Sequence, residues 1–169
     1  GIGNTGQRIS EYTPDADPEF GGGRGGDYTA LVVDRIKPFV DARFRTLCGA
    51  ANTAVAGSSL GGLIRFEMFQ SRPGVFGRVG AISPSFWWNS RSSLNRFDSA
   101  TPELPMRLWI DAGTEEGERT EGGASTTSVN AAVARDRALA LGVNKYLGKP
   151  YQEEQLLSNI RELIGNTVE

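Results

Sequence analysis

Apolar residues recur at two spacings along this chain, and the alternation between the two predicts its elements. Tyr28, Leu31, Val32, Ile36, Phe39 and Val40 fall three and four apart, which predicts a helix over about 27–43 with Asp27 as N-cap and a kink at Pro38. Short apolar runs of strand character stand at 53–57, 78–83, 106–111 and 143–147, and residues 1–4 read as the tail of another strand. Helical spacing returns between them. Leu63 and Phe66 should face the sheet from a helix over 60–71, with Met68 or Phe69 flanking that face. Val129, Ala132, Val133, Leu139 and Leu141 mark a second helix ending at Gly142. Leu156, Leu157, Ile160, Leu163 and Ile164 mark a last one that Pro150 can begin. Strands alternating with helices predict an α/β fold: a three-layer sandwich on a mostly parallel sheet of about five strands, in one domain over residues 1–169.

Residues 7–26 break this rhythm. Pro14, Pro18 and the run Gly21-Gly22-Gly23-Arg24-Gly25-Gly26 predict a long loop, and loops of that length are commonly functional or mobile. Gly1-Ile2-Gly3-Asn4-Thr5-Gly6 matches the dinucleotide-binding string G-x-G-x-x-G. No strand precedes it and residues 7–14 do not read as a helix, so the match is discarded.

Composition narrows the picture modestly. With 169 residues, 38% hydrophobic and 22% charged, the chain has enough apolar material for a core. A net charge of −2 gives no support to a nucleic-acid partner or a polybasic membrane surface. No apolar run is long enough for a membrane helix, and the glycine-rich start does not suit a signal peptide, so the default expectation is cytoplasmic. Cys48 is the one cysteine, so no internal disulfide forms and a buried or idle thiol is expected. The chain contains no histidine, which changes the chemistry more than any other count.

The chemistry centres on Gly57-Ser58-Ser59-Leu60-Gly61, a G-x-S-x-G string between a predicted strand and a predicted helix. In that context it predicts a nucleophile elbow. Ser59 would sit at the apex in a strained conformation, with glycine needed two residues either side because bulk there would collide with the neighbouring strand and helix. The N–H of Leu60 would then point at an oxyanion site. The competing reading is a glycine-rich strand-to-helix turn that binds an anion or nothing. Trp87 and Trp88, after the 78–83 strand, are placed either to pack the core or to line a pocket at the carboxyl edge of the sheet. A Ser–His–acid triad cannot be assembled from these residues.

Several blocks in order resemble the α/β-hydrolase esterases of the esterase D and enterochelin-esterase type over residues 1–125. They are Glu11-Tyr12-Thr13-Pro14, Ile36-Lys37-Pro38-Phe39-Val40, Ala56 through Gly62, Ser83-Pro84-Ser85-Phe86-Trp87-Trp88 and Asp111-Ala112-Gly113-Thr114-Glu115-Glu116. The resemblance implies Ser59 as nucleophile and Glu116, or secondarily Asp111, as the acid; the competing view of 115–121 is a solvated acidic loop. It covers part of such a hydrolase, without the family's earlier strands, the loop that gives a second oxyanion N–H, or the histidine loop.

From about Ala134 the chain resembles something else. Asp136 through Tyr151, with Lys149-Pro150, and Glu153-Glu154-Gln155-Leu156-Leu157 are similar to the end of a response-regulator receiver domain over about 134–164. The acidic pocket of a receiver has no counterpart upstream, so phosphorelay is not expected and the combination reads as a chimera. Two functions follow: a serine ester hydrolase acting on a small ester, with Trp87 and Trp88 shaping its pocket, or an inactive remnant that keeps the fold without turnover. In the first, Lys149 is the candidate base, competing with a lysine that merely reaches solvent or pairs with a carboxylate. Neither needs a cofactor or a metal. The uncharged edge of strand 53–57 is also expected to invite a second copy of the chain.

Overall fold

The computed structural model describes residues 1–99, 107–113, 145–149, 154 and 157–158. Its centre is a parallel sheet in the order β3 (Ala54–Ser58), β4 (Arg78–Ile82), β5 (Arg107–Gly113), β6 (Lys145–Lys149). The register is unbroken: Ser58 pairs with Ile82, Ile82 with Asp111, and Asp111 with Leu147. Every carboxyl end therefore lies along one edge of the sheet. Each predicted strand after the first is present within a residue or two of its expected bounds.

The strand expected at 1–4 is absent. These residues are exposed and irregular, and β3 pairs on one side only among the described residues. Three glycines in the first six positions supply almost no side chain to bury, so a strand there gains little from packing.

Helix α4 (Leu60–Ser71) lies on β3 and β4. It is apolar on nearly every side: Leu63, Ile64, Phe66 and Met68 are all at most 1% exposed. Burial of each such side chain contributes about 1.5–3 kcal/mol relative to leaving it in water. Val79 and Ala81 of β4, Leu108 and Ile110 of β5, and Phe86 complete the core, with Phe86 edge-on to Phe66 at 4.9 Å.

The helix expected over 27–43 is a continuous run in three parts: α2 (Gly25–Leu31), a π-helical segment Val32–Ile36, and α3 (Lys37–Arg43). Pro38 lies in the first turn of α3. Its missing N–H and its ring cannot fit a regular α-helical ladder, and the wider turn just ahead accommodates it. Asp27 is not the N-cap. Helix α2 begins two residues earlier, and Asp27 in its first turn takes an ion pair from Arg24 at 2.9 Å.

Residues 7–26 are more ordered than a loop. They contain a short helix α1 (Arg8–Tyr12) and a two-stranded antiparallel ladder, β1 (Ala16–Asp17) with β2 (Gly21–Gly22). Thr13, fully buried, holds them together. Its hydroxyl donates to Ile9 O (2.7 Å) and accepts from Gly23 N–H (2.9 Å), and its carbonyl accepts from Gly25 N–H (2.8 Å). Gly22 and Gly23 have φ of +87° and +94°, and a Cβ on Gly23 would come within 2.7 Å of Ala16 N. Glycine is required there for the chain to fold back on itself. Helix α5 (Trp88–Ser99) was not foreseen, because Asn89, Ser90 and Arg91 open it in left-handed conformation and hide its start from helical spacing. Cys48 is exposed, so of the buried or idle thiol expected, the buried alternative does not hold. The helices expected at 129–142 and after Pro150 and the loop carrying Glu116 lie outside the described residues, apart from isolated positions in the last helix.

Candidate active site

The join of β3 to α4 is a tight turn at Ser59. Ser59 adopts φ 58° and ψ −126°, a conformation that L side chains rarely take, and it is exposed at the carboxyl edge of the sheet. The surroundings over-determine that strain. Ser59 N–H donates to Ile82 O on the next strand (2.9 Å), and Ser59 O accepts from Leu63 N–H (3.0 Å) and Ser85 N–H (3.2 Å). Leu60 is the first residue of α4, where a backbone N–H has no partner within its own helix.

The two glycines of the motif are not equivalent. A Cβ on Gly57 would come within 2.6 Å of the Gly61 carbonyl carbon, so nothing larger fits. A Cβ on Gly61 would meet Tyr12 Cε2 at 3.9 Å, an ordinary contact. The expected clash on both sides thus exists on one; close packing on the other side falls to Gly62, whose Cβ would lie 3.2 Å from Pro84 Cα.

The turn after β4 closes over the join of β3 to α4. Ser83 also has positive φ (41°), Pro84 and Ser85 are buried, and Ser85 Oγ lies 3.3 Å from Ser59 Oγ. The sequence carried the Ser-Pro-Ser string but no sign that its second hydroxyl would reach Ser59. Trp87 and Trp88, read as a pair, separate here. Trp88 is 2% exposed, belongs to the core, and donates through Nε1 to Asp15 O at 2.8 Å. Trp87 is half-buried at the core's margin. Phe20, at the tip of the β1–β2 ladder, faces both indoles with ring centroids about 6 Å away (6.1 Å and 6.0 Å), giving an aromatic wall two residues beyond Ser85.

An ionic cluster anchors that wall. Arg96 of α5 bridges Asp15 (2.7 Å) and Glu67 of α4 (3.0 Å), while Ser92 donates to Asp15 at 2.6 Å. Partial burial pushes the Asp15 carboxyl up, but the Ser92 and Arg96 hydrogen bonds and the Arg96 charge outweigh it and hold the group below its ordinary value. On the opposite flank of α4, Arg65 is 6% exposed, donates to Tyr28 Oη at 2.9 Å, and lies over the rings of Tyr28 (5.1 Å) and Tyr12 (5.6 Å). Burial and the Tyr28 hydroxyl raise the Tyr12 phenol above its usual value, more than Arg65 lowers it.

The other predicted site residues are placed by backbone alone or not at all. Asp111 stands two strands from Ser59, in the same row as Ser58, which is about 10 Å across the sheet. Lys149 ends β6 opposite Gly113, three strands from β3. That separation, about 14 Å, exceeds the length of a lysine side chain. Glu116 is outside the described residues. Among the described residues no group of His, Cys, Asp and Glu could hold a metal ion.

Comparison with known proteins identifies the family and the fold. The Esterase family model matches residues 3–154, a span that includes much of the stretch expected to be receiver-like. Uncharacterized protein YbbA of Bacillus subtilis is 28% identical over 121 residues, covering 68% of this chain and 48% of that protein. The siderophore enterobactin esterase of Emericella nidulans is 33% identical over 104 residues, covering 55% of this chain and 34% of that protein. Among solved structures, the BES protein of Bacillus cereus superposes with a TM-score of 0.71 at 20% identity, over 97% of this chain and 66% of that one. The chain thus spans about half or less of these curated relatives.

Proposed function

This chain belongs to the Esterase family, and from that premise we propose that it is a serine carboxylic-ester hydrolase with Ser59 as nucleophile. One observation carries the reading: Ser59 is exposed at φ 58°, ψ −126° between a parallel strand and the helix that follows it. A strained, presented hydroxyl at the carboxyl edge of a parallel sheet is suited to attack an acyl carbon. In this reading Leu60 N–H holds the developing oxyanion, and Asp111 or Glu116 supplies the acid. Trp87, with Phe20, forms the wall for an aryl or acyl group, and Trp88 backs it from the core. The similarity to the enterobactin esterase supports an ester of siderophore type as the substrate class.

No residue of the chain is a histidine, so the proton of Ser59 leaves through another group. Lys149, the sequence's candidate base, would need an intermediary to span the strands between. The receiver-like end, about residues 134–164, is proposed as a transplanted cap to the sheet; β6 extends β5 in parallel, as either parent fold would.

A second reading, the elbow without turnover, is favoured by one contact: the Ser59 hydroxyl meets the hydroxyl of Ser85, a group that is no base. Hydrolysis of p-nitrophenyl acetate by the chain and by Ser59→Ala separates the two. The esterase reading expects release of nitrophenolate that Ser59→Ala abolishes; equal rates favour the second reading.

A further inference from the structure

The turn Ser83-Pro84-Ser85 is built in an unfavourable way, and it delivers a hydroxyl to Ser59. Ser83 takes a positive φ of 41° without being glycine. Such outliers persist only where the surroundings hold them, and they concentrate at functional sites. Pro84 has its φ fixed by its ring and is wedged against α4 at Gly62. Ser85 is then pinned from both sides: its N–H donates to Ser59 O (3.2 Å), and its carbonyl accepts from Trp88 N–H (3.1 Å).

Ser85 is 5% exposed, so its hydroxyl depends on a protein partner, and among the described residues that partner is Ser59 Oγ at 3.3 Å. This is long for a hydroxyl pair, as resting-state hydrogen bonds around reacting groups often are before they tighten on the substrate. Turning Ser59 away would leave a buried hydroxyl unsatisfied, so the contact selects one rotamer of Ser59.

We propose that Ser85 is the positioning residue for Ser59, an inference that rests on the esterase reading above. In the proposed resting arrangement the Ser59 hydroxyl donates to Ser85 Oγ, one of the two directions the contact allows, which turns a lone pair of Ser59 toward the acyl carbon. On attack the Ser59 Oγ–acyl carbon bond forms, the bond from acyl carbon to alkoxy oxygen breaks, and the Ser59 proton ends on the departing alkoxide through solvent. The acylated Ser59 oxygen has no proton to give. Ser85 then reverses and donates to it, beginning and ending the step as a neutral hydroxyl. A hydroxyl serves in both directions, which an acid or a base at this position could not do without changing charge.

The test is the acylation of Ser59 in the full chain by p-nitrophenyl acetate, read as the nitrophenolate burst and as acetyl mass on the Ser59 peptide. Titrating the ester separates the saturating rate from the half-saturating concentration. Ser85→Ala is expected to lower the saturating rate about tenfold, the scale of one hydrogen bond, with half-saturation and melting temperature unchanged. Ser85→Cys, which refills the space with a weak hydrogen-bonding group, should follow it. If the unaltered chain is acylated no faster than Ser59→Ala, the esterase reading fails and this proposal falls with it. If the chain is acylated and Ser85→Ala matches it, the esterase reading stands and the positioning role is overturned. A loss that comes with weaker half-saturation and a lower melting temperature in both variants assigns Ser85 to packing, which also overturns it.

Discussion

Gly57 lies directly against the carbonyl of Gly61: a Cβ on Gly57 would come within 2.6 Å of that carbonyl carbon and 3.2 Å of Arg65 Cγ. The obstacle is backbone, so relief requires β3 and α4 to part. Gly57→Ala is therefore expected to cost at least about 2 kcal/mol, in the range of overpacked cores, and to displace Ser59. Gly61→Ala points into ordinary contact distance inside the first turn of α4 and should be neutral, or stabilising by up to about 1 kcal/mol through helix propensity. Urea unfolding of the two variants checks this, and equal losses would contradict it.

Arg65 and Tyr28 give a second test. A guanidinium that is 6% exposed, with no ion pair among the described residues, depends on the Tyr28 hydroxyl, on two ring faces and on a weak contact to Met68 Sδ at 3.9 Å. Tyr28→Phe keeps the rings and removes the oxygen. The expected cost is about 1.5–3 kcal/mol, the scale of a hydrogen bond to a buried charged group, visible as a lower urea midpoint at unchanged slope. A loss below about 0.5 kcal/mol, the usual effect of a substitution away from such features, would place the charge in contact with water.

The parts of this architecture that were legible in the sequence are those in which local pattern and tertiary packing agree. Apolar runs at 54–58, 78–82 and 107–113 are strands, and they place Val55, Val79, Ala81, Leu108 and Ile110 in the core. The tight turn from β3 to α4 at Ser59 was legible because the close approach of Gly57 to the Gly61 carbonyl demands glycine two residues before it. The 7–26 segment was not: its order comes from Thr13, whose partners lie four, ten and twelve positions away in sequence. Helix α5 was missed because three left-handed residues precede its regular turns. The Ser59–Ser85 contact joins positions 26 apart through strand pairing, and no local spacing encodes that.

The two tryptophans should separate in experiment as they do in space. Trp88 is a core residue with a hydrogen bond to Asp15 O, so Trp88→Ala is expected to cost about 3–5 kcal/mol and to unfold much of the protein at ambient temperature. Trp87 is half-buried and faces Phe20. Trp87→Ala should leave a folded protein with a smaller loss of melting temperature. If the esterase reading holds, it should weaken aryl esters more than alkyl esters through a higher KM. Equal weakening of both ester types would remove Trp87 from the aryl wall.

The ionic cluster that holds the wall makes stability depend on pH in a direction that can be worked out. Asp15 has a folded value below its ordinary 3.8, because the hydrogen bonds and charge that favour its anion outweigh its partial burial. The unfolded chain then binds the proton first as pH falls, and stability declines with decreasing pH. The Asp15 contribution is fully present above the ordinary carboxylate value and is lost as pH falls through the lowered folded one. Burial pushes the Arg96 guanidinium down, but Glu67 and Asp15 hold it above its ordinary value, so it stays charged across this window and adds no titration of its own. Asp15→Asn keeps the carbonyl that accepts from Trp88 and removes the charge. Its urea midpoint should lie below that of the unaltered chain at neutral pH, and the difference should narrow between about pH 5 and pH 2. The gap should also shrink with added salt, since both partners are partly exposed. A gap that stays constant over that range would mean that Asp15 acts through its shape and hydrogen bonds alone, with its charge contributing nothing to the anchoring of the aromatic wall.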